Sequence, residues 1–306
     1  MLLIGENIQI MSPPIKQAIE ARDARYIQEL AVLQVEAGAA IVDLNIGPQK
    51  KLGHEVMPWI VQAVQEVVDV PLSLDTTNLA AMRAGLEVCT RPAMLNSASA
   101  DPTRLDSVMQ LAAEFDAKVI ALTMGVDGIP TTADGRASIA MEALLPAAEA
   151  AGLPMPSIFL DPLVLTVTCN QDVAEASVDA IRIFTQLSDP PPTTVVGLSN
   201  ISNGCPAEFR GLINRTYLVM LLGAGLDAAI ADPLDTKQND FIRLVEQRDT
   251  STALGKLVVA LYDASAAMEE LDPALIDPED SDQVDIYKTY RMLQNKVIYA
   301  DSYLRI

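Results

Sequence analysis

The chain has 306 residues, 50% apolar, 20% charged and 4% aromatic, and its 21 Lys and Arg against 41 Asp and Glu give a net charge of −20. That apolar content, with a mean hydropathy of +0.24, excludes a disordered chain and supplies the core of one large domain or two small ones. A pI near 4.3 argues against nucleic acid or an anionic membrane as partner, since both demand basic stripes.

Short β-rich apolar runs alternate with longer stretches of helical period. The predicted strands are Leu2–Ile8, Ala40–Ile46, Pro71–Thr76, Ala93–Ser97, Lys118–Met124, Ile158–Leu163, Thr194–Asn200 and Ala228–Ala231. The first helical stretch is Pro13–Gly38, with a short break at which Asp23 would cap a second segment. Glu55–Val68, Asn78–Val88, Pro102–Phe115, Arg136–Ala151, Gln171–Leu187 and Leu212–Gly223 follow, before a longer C-terminal helical region. Continuous apolar strands joined by helices imply a parallel sheet covered on both faces, and eight such units suit a closed (β/α)₈ TIM barrel spanning the chain as one domain. An open doubly wound sheet is the alternative; the lack of a GxGxxG turn after the first strand disfavours it.

Cys89, Cys169 and Cys205 are too few and too widely spaced for a disulfide framework. Met1-Leu2-Leu3-Ile4 carries no basic leader, and no apolar run reaches the ~18 residues of a membrane span. A reduced, soluble, cytoplasmic protein is expected.

A barrel carries its chemistry at the C-terminal ends of its strands. Those ends read Glu6-Asn7, Asp43-Leu44-Asn45, Asp75-Thr76-Thr77-Asn78, Asn96-Ser97, Thr123-Met124, Asp161-Pro162, Ser199-Asn200 and Asp232-Pro233. Any one of these polar residues could simply cap the next helix. Their recurrence is harder to explain by capping, because Asp43 precedes Gly47-Pro48, where no helix has begun. A hard-cation site from Asp43, Asp75 and Asp161 is conceivable, yet carboxamides are weaker ligands, and one histidine (His54, at a solvated helix start) offers no zinc site. No bound metal is expected. Lys118 and Lys256 lie off the strand ends, which disfavours Schiff-base chemistry. A ring of Asp and Asn instead suits a flat heterocycle with alternating amide-like donors and acceptors, such as a pterin.

The segments MLLIGENI, AAIVDLNIGP, PLSLDTTN, AMLNSAS, IALTM, IFLDPL, VVGLSNIS, LINRTYL and GLDAAIADP, in that order, resemble the methyltetrahydrofolate:corrinoid-protein methyltransferases of the pterin-binding family. The resemblance covers roughly residues 1–235 and resumes near Asp285–Ile306. It implies a homodimer moving a methyl group between N5 of tetrahydrofolate and the cobalt of a cobalamin carried by a separate corrinoid protein. It also implies that Asp75, Asn96 and Asp161 hold the pterin edge, and that Asn200 reaches N5. Gly197 and Ser199 would line the same strand end, Asn203 and Arg210 would contact the aminobenzoyl-glutamate portion, and Asp43 and Asn45 would support the ring from behind.

Three departures stand out. The loop Gly204–Gly211 carries about two extra residues beside Arg210; Asn7 stands where family members often have Arg; and an acidic helical insertion spans 239–283, before the last helix. That insertion is expected to solubilise, to flank a dimer, or to select the corrinoid partner. A folate tail is anionic, so the mouth needs local positive charge, with Arg210 and Arg215 the nearest candidates. Two other functions fit the same fold: a dihydropteroate-synthase-like enzyme, whose Lys-bearing motif is not found near GLSN, and a non-catalytic folate-binding subunit.

Overall fold

The computed structural model describes residues 1–305. Eight parallel strands close into one barrel in sequence order: β1 Leu2–Gln9, β2 Ile41–Asn45, β3 Leu72–Asp75, β4 Met94–Ser99, β5 Lys118–Leu122, β6 Ile158–Asp161, β7 Thr193–Gly197 and β8 Ala228–Ala231. β8 pairs back onto β1, which removes both sheet edges and excludes the doubly wound alternative.

The helices pack outside. After β1 come α1 (Pro13–Ala21) and α2 (Arg25–Glu36); α3 (Gly53–Gln65), α4 (Leu79–Leu86) and α5 (Leu105–Glu114) follow the next three strands. α6 (Ala133–Ile139) and α7 (Leu145–Ala150) follow β5, and α8 (Val167–Asn170) and α9 (Ala174–Phe184) follow β6. α10 (Ala207–Gly223), α11 (Thr236–Gln247), α12 (Ala253–Ala267) and α13 (Ser281–Leu293) complete the chain's helices of this type among the described residues.

Several boundaries differ from expectation for identifiable reasons. The stretch expected as one helix over Arg136–Ala151 begins earlier, where Thr132 accepts from Gly135 N, and is interrupted by a π-helical turn over Ala140–Leu144. Pro146, which has no N–H to continue the α-helical ladder, stands just beyond that turn. β7 stops at Gly197, opposite Ile230, because β8 itself ends one residue later, before Pro233. Ser199 and Asn200 therefore lie in a 3₁₀ turn, Leu198–Ser202, and not on the strand. The expected insertion at 239–283 takes in most of α11, which follows β8 as the other helices follow their strands, and all of α12, which packs against α10. No helix among the described residues is long and apolar enough to cross a membrane.

Candidate active site

Inside the cylinder, Ile4, Ile41, Met94, Ile120, Phe159, Val195 and Ala228, one from each strand except β3, form a closed apolar cluster. A strand presents the same face every second residue. Two positions further along, the inward face therefore carries Glu6, Asp43, Asn96, Leu122, Asp161, Gly197 and Ile230. β3 contributes Asp75, in register with Asn45 on one side and Asn96 on the other. The column changes from apolar to polar at the C-terminal end of the barrel, so the acidic and amide side chains gather at one mouth.

Helix capping does not account for them. The helices after β3, β5 and β8 are capped by Asn78, Thr132 and Asp235, leaving Asp75 and Asp232 free of that role. The polar groups bond to one another instead. Asn45 Nδ2 donates to Asp75 Oδ2 at 2.5 Å, and Asn96 Nδ2 donates to Asp43 Oδ1 at 3.1 Å. Asp161 stands apart from these pairs, Oδ1 accepting from Leu163 N at 2.7 Å. Ser199 Oγ donates to Glu6 Oε1 at 2.5 Å across the β1–β7 side. Asn7 donates through Nδ2 to Asp232 Oδ1 at 2.9 Å, tying the first strand to the last.

Burial dominates the electrostatics, since a low-dielectric surrounding disfavours the charged form. It pushes Asp161 up to about 7, against the Leu163 N–H and the Arg136 guanidinium. Glu6 is also pushed to about 7 by burial, with Asp232 and Asp43 adding to the rise and the Ser199 hydroxyl and Arg210 opposing it. Asp43 and Asp75 are both raised by burial, and Asp75 further by the charge of Asp43. The mouth thus holds four carboxyl groups that titrate well above ordinary carboxylates.

The turn after β7 carries the exposed members. Asn203 Nδ2 donates to Asn200 Oδ1 at 3.2 Å, and Arg210 Nε, in the first turn of α10, donates to Ser202 Oγ at 3.2 Å. A Cβ added at Gly197 would stand 3.0 Å from Asn200 Nδ2, so the glycine leaves room for that carboxamide. Arg215 stacks on a ring: its guanidinium lies 5.5 Å from the centre of Phe241 and joins α10 to α11. Cys169 is exposed, whereas Cys205 is buried.

Sequence reasoning gave Glu6 no role, although its hydrogen bond to Ser199 puts it within the same ring. The signal was present: Glu6 follows Ile4 at the strand period, as Asp161 follows Phe159.

Comparisons with known proteins agree in kind. The profile of the family described as pterin binding enzyme matches residues 15–232. Over 238 residues the chain is 29% identical to the methylcorrinoid:tetrahydrofolate methyltransferase of Eubacterium limosum, covering 76% of this chain and 85% of that one. It is 28% identical over 240 residues to the methionine synthase of Mycobacterium leprae, covering 75% of this chain and 20% of that protein. In three dimensions it is similar to a dihydropteroate synthase of Clostridium difficile solved with pteroic acid, with a TM-score of 0.59 and 16% identity over 81% of this chain and 96% of that one, a likeness of fold alone.

Proposed function

The chain belongs to the pterin binding enzyme family, and from that premise we propose that it is a methyltransferase carrying a methyl group between N5 of 5-methyltetrahydrofolate and the cobalt of a corrinoid protein, in either direction. The observation that carries this function is the ring of carboxylates and carboxamides at one barrel mouth, where Asp75, Asn96 and Asp161 face inward beside Asp43 and Asn45. A pterin edge offers N–H donors beside ring acceptors. An ionised Asp accepts two such N–H groups, and an Asn turns one donor and one acceptor to the next position. Each buried partner left unmatched costs about 1–3 kcal/mol, which makes the ring selective for one heterocycle.

The difficulty of the reaction is the leaving group. When the N5–methyl bond breaks, its electron pair stays on nitrogen, so N5 must carry a proton or a strengthening hydrogen bond as the bond lengthens. Asn200 is exposed in the turn after β7, and its carboxamide is free to turn toward that nitrogen. A carboxamide does not titrate at neutral pH; Asn200 orients N5, and the proton comes from solvent. Interactions that strengthen only in the transition state raise kcat, and one aimed donor is worth about 2.7–4 kcal/mol. The partner's corrinoid supplies the nucleophilic cobalt, so the chain needs no nucleophile of its own. Gly197 and Ser199 line the strand end, and Asn203 and Arg210 receive the aminobenzoyl-glutamate tail, whose carboxylates suit the guanidinium. A cytoplasmic homodimer belongs to the same proposal.

A spectrophotometric assay with 5-methyltetrahydrofolate and reduced cobalamin, repeated with a corrinoid protein, tests this. Asn200→Ala is expected to lower kcat by about 10²–10³-fold with folate affinity nearly unchanged, whereas Asp161→Ala mainly weakens folate binding. A wild-type protein that binds no 5-methyltetrahydrofolate overturns the proposal, and an unchanged kcat in the Asn200 variant removes the role given to that residue.

A further inference from the structure

Large apolar side chains left in water recur on the loops that frame the mouth. Met11, 83% exposed, stands between β1 and α1; Leu52 precedes α3, and Leu79 opens α4. Val126, 77% exposed, stands between β5 and α6, and Leu234 between β8 and α11. Each follows the C-terminal end of its strand, the end that carries the ring of carboxylates and carboxamides.

The backbone holds the most exposed of these side chains outward. Met11 tops a turn that Ser12 N closes on Gln9 O at 3.0 Å, and Ile10 N ties that turn to Asn45 O at 2.9 Å. Val126 tops a hairpin closed twice, Gly125 N on Gly128 O and Gly128 N on Gly125 O, both at 3.1 Å. Ile298, 82% exposed, joins the rim from beyond α13. Gln171, in the 3₁₀ turn after α8, donates to Val297 O at 2.6 Å and accepts from Tyr299 N at 2.7 Å, which clamps the backbone on both sides of Ile298. Apolar surface fixed in water is unfavourable, and burial against a partner recovers that loss. β5 lies four strands from β1 in either direction around the closed cylinder, so Met11 and Val126 stand on opposite sides of the mouth.

We propose that this apolar rim is the docking surface for the corrinoid-bearing face of the methyl-transfer partner, with Met11, Val126 and Ile298 as its main contacts. The inference rests on the methyltransferase function, which requires the partner's cobalt to reach a methyl group held inside the mouth. A protein that brings it there must lie over the rim. Other occupants fit worse. A second copy of the chain seated on the rim would close the mouth to cobalt, so a homodimer uses another face. An anionic bilayer is repelled by a net charge of −20. The turn after β7 exposes no large apolar side chain among the described residues, which leaves that side, with Asn203 and Arg210, to the folate tail.

The test compares two methyl acceptors at saturating 5-methyltetrahydrofolate: free reduced cobalamin, which needs no docking surface, and a corrinoid protein. The double variant Met11→Ser/Val126→Ser is expected to keep wild-type transfer to free cobalamin and the wild-type melting temperature, because both side chains are already exposed. Its kcat/KM with the corrinoid protein falls about tenfold or more, through KM. Ile298→Ser gives a smaller loss of the same kind. Val67→Ser, at an exposed valine between α3 and β3 at the other end of the barrel, changes neither reaction. An unchanged KM for the corrinoid protein, an equal rise in Val67→Ser, or an equal loss with both acceptors overturns the proposal. So does a wild type that methylates the corrinoid protein no faster than free cobalamin. A wild type that transfers no methyl group to free cobalamin removes the methyltransferase function itself, whereas transfer to free cobalamin without a rim effect removes only the docking surface.

Discussion

At the scale of single residues, Gly197 separates positioning from binding. Its φ is −81°, a value open to any residue, so alanine brings no backbone strain there. The new Cβ would nevertheless stand 3.0 Å from Asn200 Nδ2 and turn that carboxamide aside. Asn200 is exposed and can move cheaply, so the fold should tolerate Gly197→Ala while the reacting geometry does not. An expected loss in kcat of about 10²-fold follows from a displacement near 1 Å, with melting temperature and folate affinity nearly unchanged. Steady-state methyl-transfer kinetics beside a thermal melt check it; an unaltered kcat would mean that Asn200 works from another orientation. The residues at issue were legible in the sequence because period-two alternation announces them: Phe159 then Asp161, Met94 then Asn96. What the sequence could not disclose was pairing across the barrel. Asn96 with Asp43, Ser199 with Glu6 and Asn7 with Asp232 are set by closure of the cylinder, which brings together residues up to 225 positions apart.

At the scale of elements, strands were easier to foresee than helix ends. A strand buried on both faces must be a short apolar run, whereas helix limits depend on caps and on proline placement, as Thr132 and Pro146 illustrate in α6 and α7. The start of α10 at Ala207, five residues before the expected Leu212, follows Pro206 and sets Arg210 in a helical first turn beside Ser202. The C-terminal helices pose a sharper question, whether α12 is a loose addition or part of the shell. Its contact with α10 is backbone-close: a Cβ at Gly223 would come within 2.5 Å of Tyr262 O and 2.7 Å of Ser265 Cβ. Ser265 Oγ also donates to Met220 O at 2.7 Å. If α12 belongs to the shell, Gly223→Ala forces two helices apart and costs about 1–3 kcal/mol, a fall in melting temperature on the order of 2–6 °C. A loosely held α12 would swing away, and the melting temperature would stay within about 1 °C of wild type.

At the scale of the whole molecule, the same carboxyl groups that form the mouth oppose the stability of the empty barrel. Glu6 and Asp161 titrate near 7 in the folded chain, and Asp43 and Asp75 are raised as well, whereas all four ionise near 4 once unfolded. Between those values the native state binds more protons than the unfolded one, so stability falls as pH rises from about 4 to 8. A net charge of −20 acts in the same direction, because self-repulsion grows as the last acids ionise. The acids with depressed values, such as Asp23, Asp69 and Glu114, lie at the surface, paired with arginines; their contribution is screened and is lost only below their own low titration range. The ligand-free protein should therefore melt several degrees lower at pH 8 than at pH 5.5. A bound pterin that needs ionised carboxylates reverses the slope: the rise in melting temperature caused by saturating 5-methyltetrahydrofolate should be larger at pH 8 than at pH 5.5. Differential scanning fluorimetry across that range measures both slopes. Parallel curves, with a folate shift independent of pH, would mean that the mouth binds its ligand without a change in protonation, and the buried carboxyls would lose their place in recognition.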